Sequence, residues 1–161
     1  MSEFQYLLPP ASDRMIIPED STGKFQVRFP LSSPNYFRIG RNTLYLSPGD
    51  DLEVFIDYNN PVFASFKGRG SEANMFLRQT PFPKGGSYLE AGSKAHAKAQ
   101  QTIDYIIQAG ANRAKQLDSV QHVSAEFRRL ERGRIKADII NNGLMYDTKS
   151  PGMKPGFSFY T

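Results

Sequence analysis

The chain has 161 residues, no cysteine, no tryptophan and a formal net charge of +4 at pH 7. That length suits one domain, or a sheet domain with a helical appendage, and can bury a core without staples. The missing thiol excludes disulfides, cysteine nucleophiles and thiolate metal sites, but it leaves the compartment open.

The charge is uneven, with 8 Lys/Arg against 9 Asp/Glu in residues 1–80 and 12 against 7 in residues 81–161. No apolar run approaches the roughly 18 residues of a membrane-spanning helix. The opening MSEFQYLLPP lacks the basic and apolar regions of a signal peptide.

In chain order, Phe4 to Leu8 reads as a first strand stopped by Pro9-Pro10, and Met15-Ile16-Ile17 is a short apolar run ended by Pro18. Phe25, Val27 and Phe29 alternate with polar residues, the period-2 pattern of a strand. Tyr36–Ile39 and Thr43–Leu46 flank Gly40-Arg41-Asn42 as a hairpin with Gly or Asn supplying positive φ. Ser47-Pro48-Gly49-Asp50 carries the residues of a type II turn. Beyond it Leu52, Val54, Ile56 and Tyr58 alternate with Glu53, Phe55 and Asp57. Asn59-Asn60-Pro61 breaks the chain, and Val62, Ala64 and Phe66 alternate with Phe63, Ser65 and Lys67. Short strands with turn signals every eight to twelve residues or so predict an antiparallel β-sandwich or open barrel.

Gly68-Arg69-Gly70 ends the sheet. Ser71 is placed to cap a helix beginning at Glu72. Residues 80–92 hold two Pro and three Gly and read as a loop. From Ser93, itself a candidate cap, Ala95, Ala99, Ile103, Ile106 and Ile107 fall at helical spacing, with Gly110 as a stop or a tolerated break. A second helix is expected from Lys115 to Asn141, with Leu117, Val120, Phe127, Leu130 and Ile135 on one side. The predicted class is therefore α+β: an antiparallel β-sandwich over residues 1–79, a helical region with two main helices over 80–146, and a linker or tail over 147–161.

The candidate sites reduce to ordinary structure. Gly68-x-Gly70 lacks the third glycine of a dinucleotide loop and any Walker-type Gly-Lys-Ser/Thr, and Lys84-Gly85-Gly86-Ser87 has its residues in the wrong order. Turn geometry accounts for both. His96 and His122 stand 26 residues apart with no ligand cluster beside them, which is the pattern of surface histidines. Asp50, Asp51, Glu53 and Asp57 are interleaved with inward apolar residues, so they are expected on a solvent face, and their spacing is not that of a calcium loop. Nothing places two acids across a cleft for glycoside hydrolysis, and no nucleophile elbow appears. Arg128, Arg129, Arg132, Arg134 and Lys136 crowd one stretch, but Glu126, Glu131 and Asp138 interleave them. A solvated face laced with ion pairs is expected there, rather than a nucleic-acid surface. No catalytic, cofactor-binding or metal residue is assigned.

One resemblance adds to this reading. Gly23-Lys24-Phe25-x-Val27, Tyr36-Phe37-Arg38-Ile39 and Leu44-Tyr45-Leu46-Ser47-Pro48-Gly49-Asp50-Asp51-Leu52-Glu53-Val54 are followed by Phe66-Lys67-Gly68-x-Gly70-Ser71-Glu72-Ala73-Asn74-x-Phe76-Leu77. This order resembles the N-terminal β-sandwich domain of bacterial cell-envelope thiol–disulfide interchange proteins. The stretch Glu126 to Lys136 is similar to their helical connector. In that family a Cys-x-x-Cys pair in a following thioredoxin-like domain carries the chemistry, and this chain has no cysteine to receive that role.

The resemblance implies a non-catalytic accessory domain that positions a redox domain or makes protein contacts, in the periplasm or cell envelope, with a signal peptide removed upstream of Met1. Protein partners or the redox domain itself are implied, a homodimer is an alternative, and no cofactor, nucleic acid or membrane span is expected. The competing expectation is a free-standing sandwich module that binds a glycan or peptide through its loops or aromatic face.

Overall fold

The computed structural model describes residues 17–79, 88–90 and 93–147. The chain divides into two compact units, Met1–Ser32 and Ser33–Thr161. In the first, the described residues form neither strand nor helix. The strand expected at Phe25–Phe29 is absent. Upstream of it the chain folds back on itself, with Gly23 N donating to Asp20 O at 3.0 Å and Asp20 N to Lys24 O at 2.8 Å. The Asp20 carboxylate holds the same turn through the amides of Thr22 and Lys24. A period-2 pattern makes a strand only where an edge is available to pair with it. The strand expected at Phe4–Leu8 lies outside the described residues, as does most of the 80–92 loop.

The described residues of the second unit are mixed α/β, with two antiparallel sheets of two strands each and three helices. Strands β1 (Asn35–Ile39) and β2 (Asn42–Leu46) pair from Asn35↔Leu46 to Ile39↔Asn42, so Gly40-Arg41 is a two-residue loop. The 47–50 turn forms as expected, with Gly49 at φ 84° and Asp50 N donating to Ser47 O at 3.0 Å. Strand β3 (Asp51–Phe55) pairs with β4 (Ser65–Arg69). The predicted strand ran on to Tyr58 and resumed at Val62. Instead the chain leaves the ladder at Phe55 and takes a 3-10 turn over Pro61–Phe63. Proline there removes an N–H that a ladder would need, and Asn60 caps the turn through Val62 N. The described residues therefore form two hairpins, not the larger packed sheets of a sandwich.

Alternation along β1 and β2 sends the two faces of this hairpin to two different cores. Leu44, with Phe37, Ile39 and Leu46, joins Ala64, Phe66, Leu52, Val54 and Ile56. Tyr45 and Tyr36 face the other way, into a core built with Ala73, Phe76, Leu77, Leu117, Phe127 and Ile135. Tyr36 stacks edge-on to Tyr45 at 5.1 Å, Tyr45 lies 4.9 Å from Phe127, and Phe127 lies 6.0 Å from Phe76. The helices thus pack on the hairpin rather than extend from it.

Helix α1 (Ser71–Arg78) starts one residue before the expected place. Gly70, not Ser71, is its cap residue, at φ 98° and without a side-chain cap bond. Helix α2 (Ala99–Ser119) begins six residues later than Ser93. Residues 93–98 are held as a turn by Thr102, whose hydroxyl accepts from His96 N at 2.8 Å and donates to His96 O.

Gly110 neither stops nor breaks α2. A Cβ there would stand 2.4 Å from Ile139 Cδ1, so the residue lets α2 and α3 approach closely. The single helix expected over 115–141 is in fact the end of α2, a connection at 120–124, and α3 (Ala125–Asp147). Ser124 Oγ accepts from Phe127 N at 3.0 Å and caps α3. The apolar residues assigned to that helix all reach the core, Val120 from the connection and the others from the two helices.

Candidate functional site

The ionisable groups that come together inside the fold lie under the β1–β2 hairpin, along the inner face of α3. Phe127, Glu131, Ile135, Asp138 and Asn142 follow one another at three- and four-residue steps, which places them on one side of a helix. Glu131 is fully buried. Its Oε1 accepts from the Tyr36 hydroxyl at 2.8 Å, and its Oε2 accepts from Arg134 Nη2 at 2.8 Å and Nε at 3.2 Å. Burial, and then the neighbouring Glu131 carboxylate, hold the Tyr36 hydroxyl well above the usual phenol range.

Arg113 of α2 enters from the other side. Its guanidinium lies 3.6 Å over the Phe76 ring and donates to Phe76 O at 2.8 Å and to Gln116 Oε1 at 3.1 Å. Burial, and next the charge of Arg134, push its pKa down to about 10. Tyr88 is pushed up to about 12 by burial and then by Asp138, and Asp138 itself is raised by burial. Asn142 ties this end together, accepting from Tyr88 N at 3.1 Å and donating to Asp138 O at 2.7 Å.

Chemically, this cluster is a fastener. Both oxygens of Glu131 already hold donors from the protein, and no face of the carboxylate is exposed to meet a substrate. Removing one partner would leave a buried charge unsatisfied, which is the costly case.

The residues singled out from the sequence are scattered and have local roles. Gly68 sits in β4 at φ 90°, where a Cβ would meet Asp51 O at 2.3 Å. Gly70, at φ 98°, lies against the Asp50 carboxylate, 2.6 Å from where its Cβ would be. Close backbone approach is thus the reason for both glycines. Asp51 and Glu53 are exposed as expected. Asp50 and Asp57 are instead half-buried and turned onto backbone amides, Asp50 on Ser47 N and Asp57 on Asn59 N and Asn60 N. His96 and His122 are exposed. Among the described residues no group of three or more His, Asp or Glu could hold a metal ion.

The basic stretch of α3 is largely committed to the fold. Arg128 donates to Leu117 O at 2.7 Å and to Val120 O, which closes the C-terminal end of α2. Arg132 pairs with Asp118 at 2.6 Å and Arg134 with Glu131.

What sequence reasoning missed was the burial of Glu131, which it took for one acid of a solvated face. The signal was present in the spacing Phe127, Glu131, Ile135.

One surface does stand out. Phe55, Tyr58, Val62 and Phe63 are 63%, 58%, 51% and 65% exposed, four large apolar side chains within nine residues. They ride on a frame fixed by the two amide bonds to Asp57, by Asn60 to Val62 N, by Asn42 Nδ2 to Pro61 O at 2.9 Å and by Arg41 Nη1 to Asn59 O at 3.2 Å. No protein-family model matches the chain, and no solved structure matches it. Among the described residues no helix is long and apolar enough to cross a membrane.

Proposed function

We propose that this chain is a non-catalytic accessory domain that makes protein contacts and positions the redox domain of a cell-envelope thiol–disulfide interchange protein. On this reading the hairpins and α1 belong to the β-sandwich region of that family, and α2 and α3 to its connector. The observation that carries the non-catalytic part is the state of the buried cluster: Glu131, the most enclosed carboxylate among the described residues, has both oxygens filled by Tyr36 and Arg134. Without cysteine the chain cannot itself supply the attacking thiolate of disulfide exchange.

Support for the family comes from its marker residues. Pro48-Gly49-Asp50 and Gly68 to Asn74 meet at one junction, where the Asp50 carboxylate rests on Gly70 and Asn74 reaches back to Tyr45. The test is the coding sequence downstream of Thr161 together with a thiol titration of the full gene product. A Cys-x-x-Cys pair titrating as two thiols is expected, and a gene product without thiols contradicts the reading.

A further inference from the structure

We infer that the loop from Phe55 to Phe63 is a docking surface for an acidic, apolar polypeptide segment of a partner protein, which rests on the accessory-domain reading and gives its contacts a place and a chemistry. Monomeric surfaces scatter large apolar residues singly, whereas here four are gathered in one loop. The loop is also pre-ordered. Its backbone amides and carbonyls are tied by Asp57, Asn60, Asn42 and Arg41, so a partner would not have to order it on binding. The Tyr58 ring is itself held in place against Gly40, at the tip of the first hairpin, where a Cβ would stand 3.0 Å from it.

Charge selects the occupant. Three arginines bond to backbone carbonyls around the loop: Arg38 to Gly40 O, Arg41 to Asn59 O and Arg78 to Ala64 O. The loop's own carboxylate, Asp57, is engaged by two amides. Farther along the same hairpin, Glu53 faces Lys67 and Asp51 faces Arg69, so those charges balance across the strands. Against that one carboxylate, Arg38, Arg41 and Arg78 leave the bonded frame of the loop with an excess of positive charge. Aromatic side chains framed by arginine are the residue types enriched at interface centres, and the complementary surface is acidic and apolar.

The test is fluorescence anisotropy with labelled peptides of about twelve residues, long enough to span one recognition groove or edge. One set alternates Leu and Phe with Asp and Glu, and a matched set carries Lys in place of the acids. The expected result is saturable binding of the acidic set and binding of the basic set weaker by about tenfold or more. Phe63→Ser and Phe55→Ser are each expected to weaken the acidic set by about tenfold, the scale of truncating one interface anchor.

Arg41→Gln keeps a donor for Asn59 O while removing the charge, and is expected to flatten the salt dependence. Ile140→Ser, an exposed apolar residue of α3, is expected to leave binding unchanged, and circular dichroism checks that each variant folds. Absent or equal binding of the two sets overturns the inference. So does loop-dependent binding to phosphatidylglycerol vesicles alone, or self-association through the loop in sedimentation. Each of those outcomes leaves the accessory-domain reading to its own test, the thiols of the full gene product.

Discussion

The side-chain amide of Asn74 pairs with both backbone groups of Tyr45. Its Oδ1 accepts from Tyr45 N at 2.8 Å and its Nδ2 donates to Tyr45 O at 2.9 Å, as a neighbouring strand would. The same Nδ2 donates to Gly70 O at 2.8 Å, at the entry of α1. Asn74 is fully buried, so water cannot replace these bonds. Asn74→Ala is expected to lower stability by about 2–4 kcal/mol in urea unfolding, because it strands two buried backbone groups. Glu72→Ala, one turn edge away and exposed, is expected to stay within about 0.5 kcal/mol. Equal losses would show that the strand-like pairing contributes nothing particular.

Tyr36 joins the first hairpin to α3 through Glu131, and its removal is expected to show a pH signature. Tyr36→Phe leaves Glu131 Oε1 without its donor and is expected to cost about 1–3 kcal/mol at neutral pH. The folded-state pKa of Tyr36 lies above its unfolded value, owing to burial and Glu131. Its contribution is therefore intact below the ordinary tyrosine pKa of about 10 and is lost progressively as pH rises above it. Stability measured from pH 7 to 11 should show the wild type declining more steeply than Tyr36→Phe at the alkaline end, so that the curves converge. Parallel curves would contradict the assignment.

Two glycines in long helices separate packing from propensity. Gly110 faces Ile139, where a Cβ would sit 2.4 Å from Cδ1 and 2.5 Å from Cγ1, whereas nothing lies within 4 Å of a Cβ on Gly133. Gly133→Ala is expected to stabilise by about 0.5–1 kcal/mol through backbone entropy alone. Gly110→Ala is expected to destabilise by about 1–3 kcal/mol from overpacking. Combining it with Ile139→Ala should cost less than the sum of the single changes, since the two residues share one contact.

Of the basic residues on α3, Arg128 closes the end of α2 and Arg129 is exposed. Arg128→Ala is expected to lower stability by about 1–3 kcal/mol by freeing the carbonyl of Val120 and taking one of two donors from Leu117 O. Arg129→Ala is expected to change it by less than about 0.5 kcal/mol. Equal effects in thermal or urea unfolding would return the whole stretch to a generic solvated face.

Much of the second unit was legible from the sequence where the signal is local. The alternation through Tyr36–Leu46 and Leu52–Ile56 and the turn at Pro48-Gly49 arise from neighbours along the chain, and these formed. The failures lie where a distant residue decides. Phe25–Phe29 carries a strand pattern but pairs with no strand among the described residues. Tyr58 and Val62 were expected inward and are exposed, because Asp57 and Asn60 bend the chain into a 3-10 turn. The division between α2 and α3 depends on Arg128 reaching back to Leu117 and Val120. Glu131 looks like a surface acid until Tyr36, 95 residues away in sequence, is placed against it. Its burial is a tertiary fact with only a faint mark in the helical spacing.

We propose above that the chain holds and contacts rather than catalyses, as part of a thiol–disulfide interchange protein. A disulfide-reduction assay on insulin with a dithiol reductant, run with this chain and with the full gene product, tests it most directly. Turnover by the full product and none above background by the 161-residue chain is the predicted result. Turnover by the cysteine-free chain alone, or none by the full product, would contradict it.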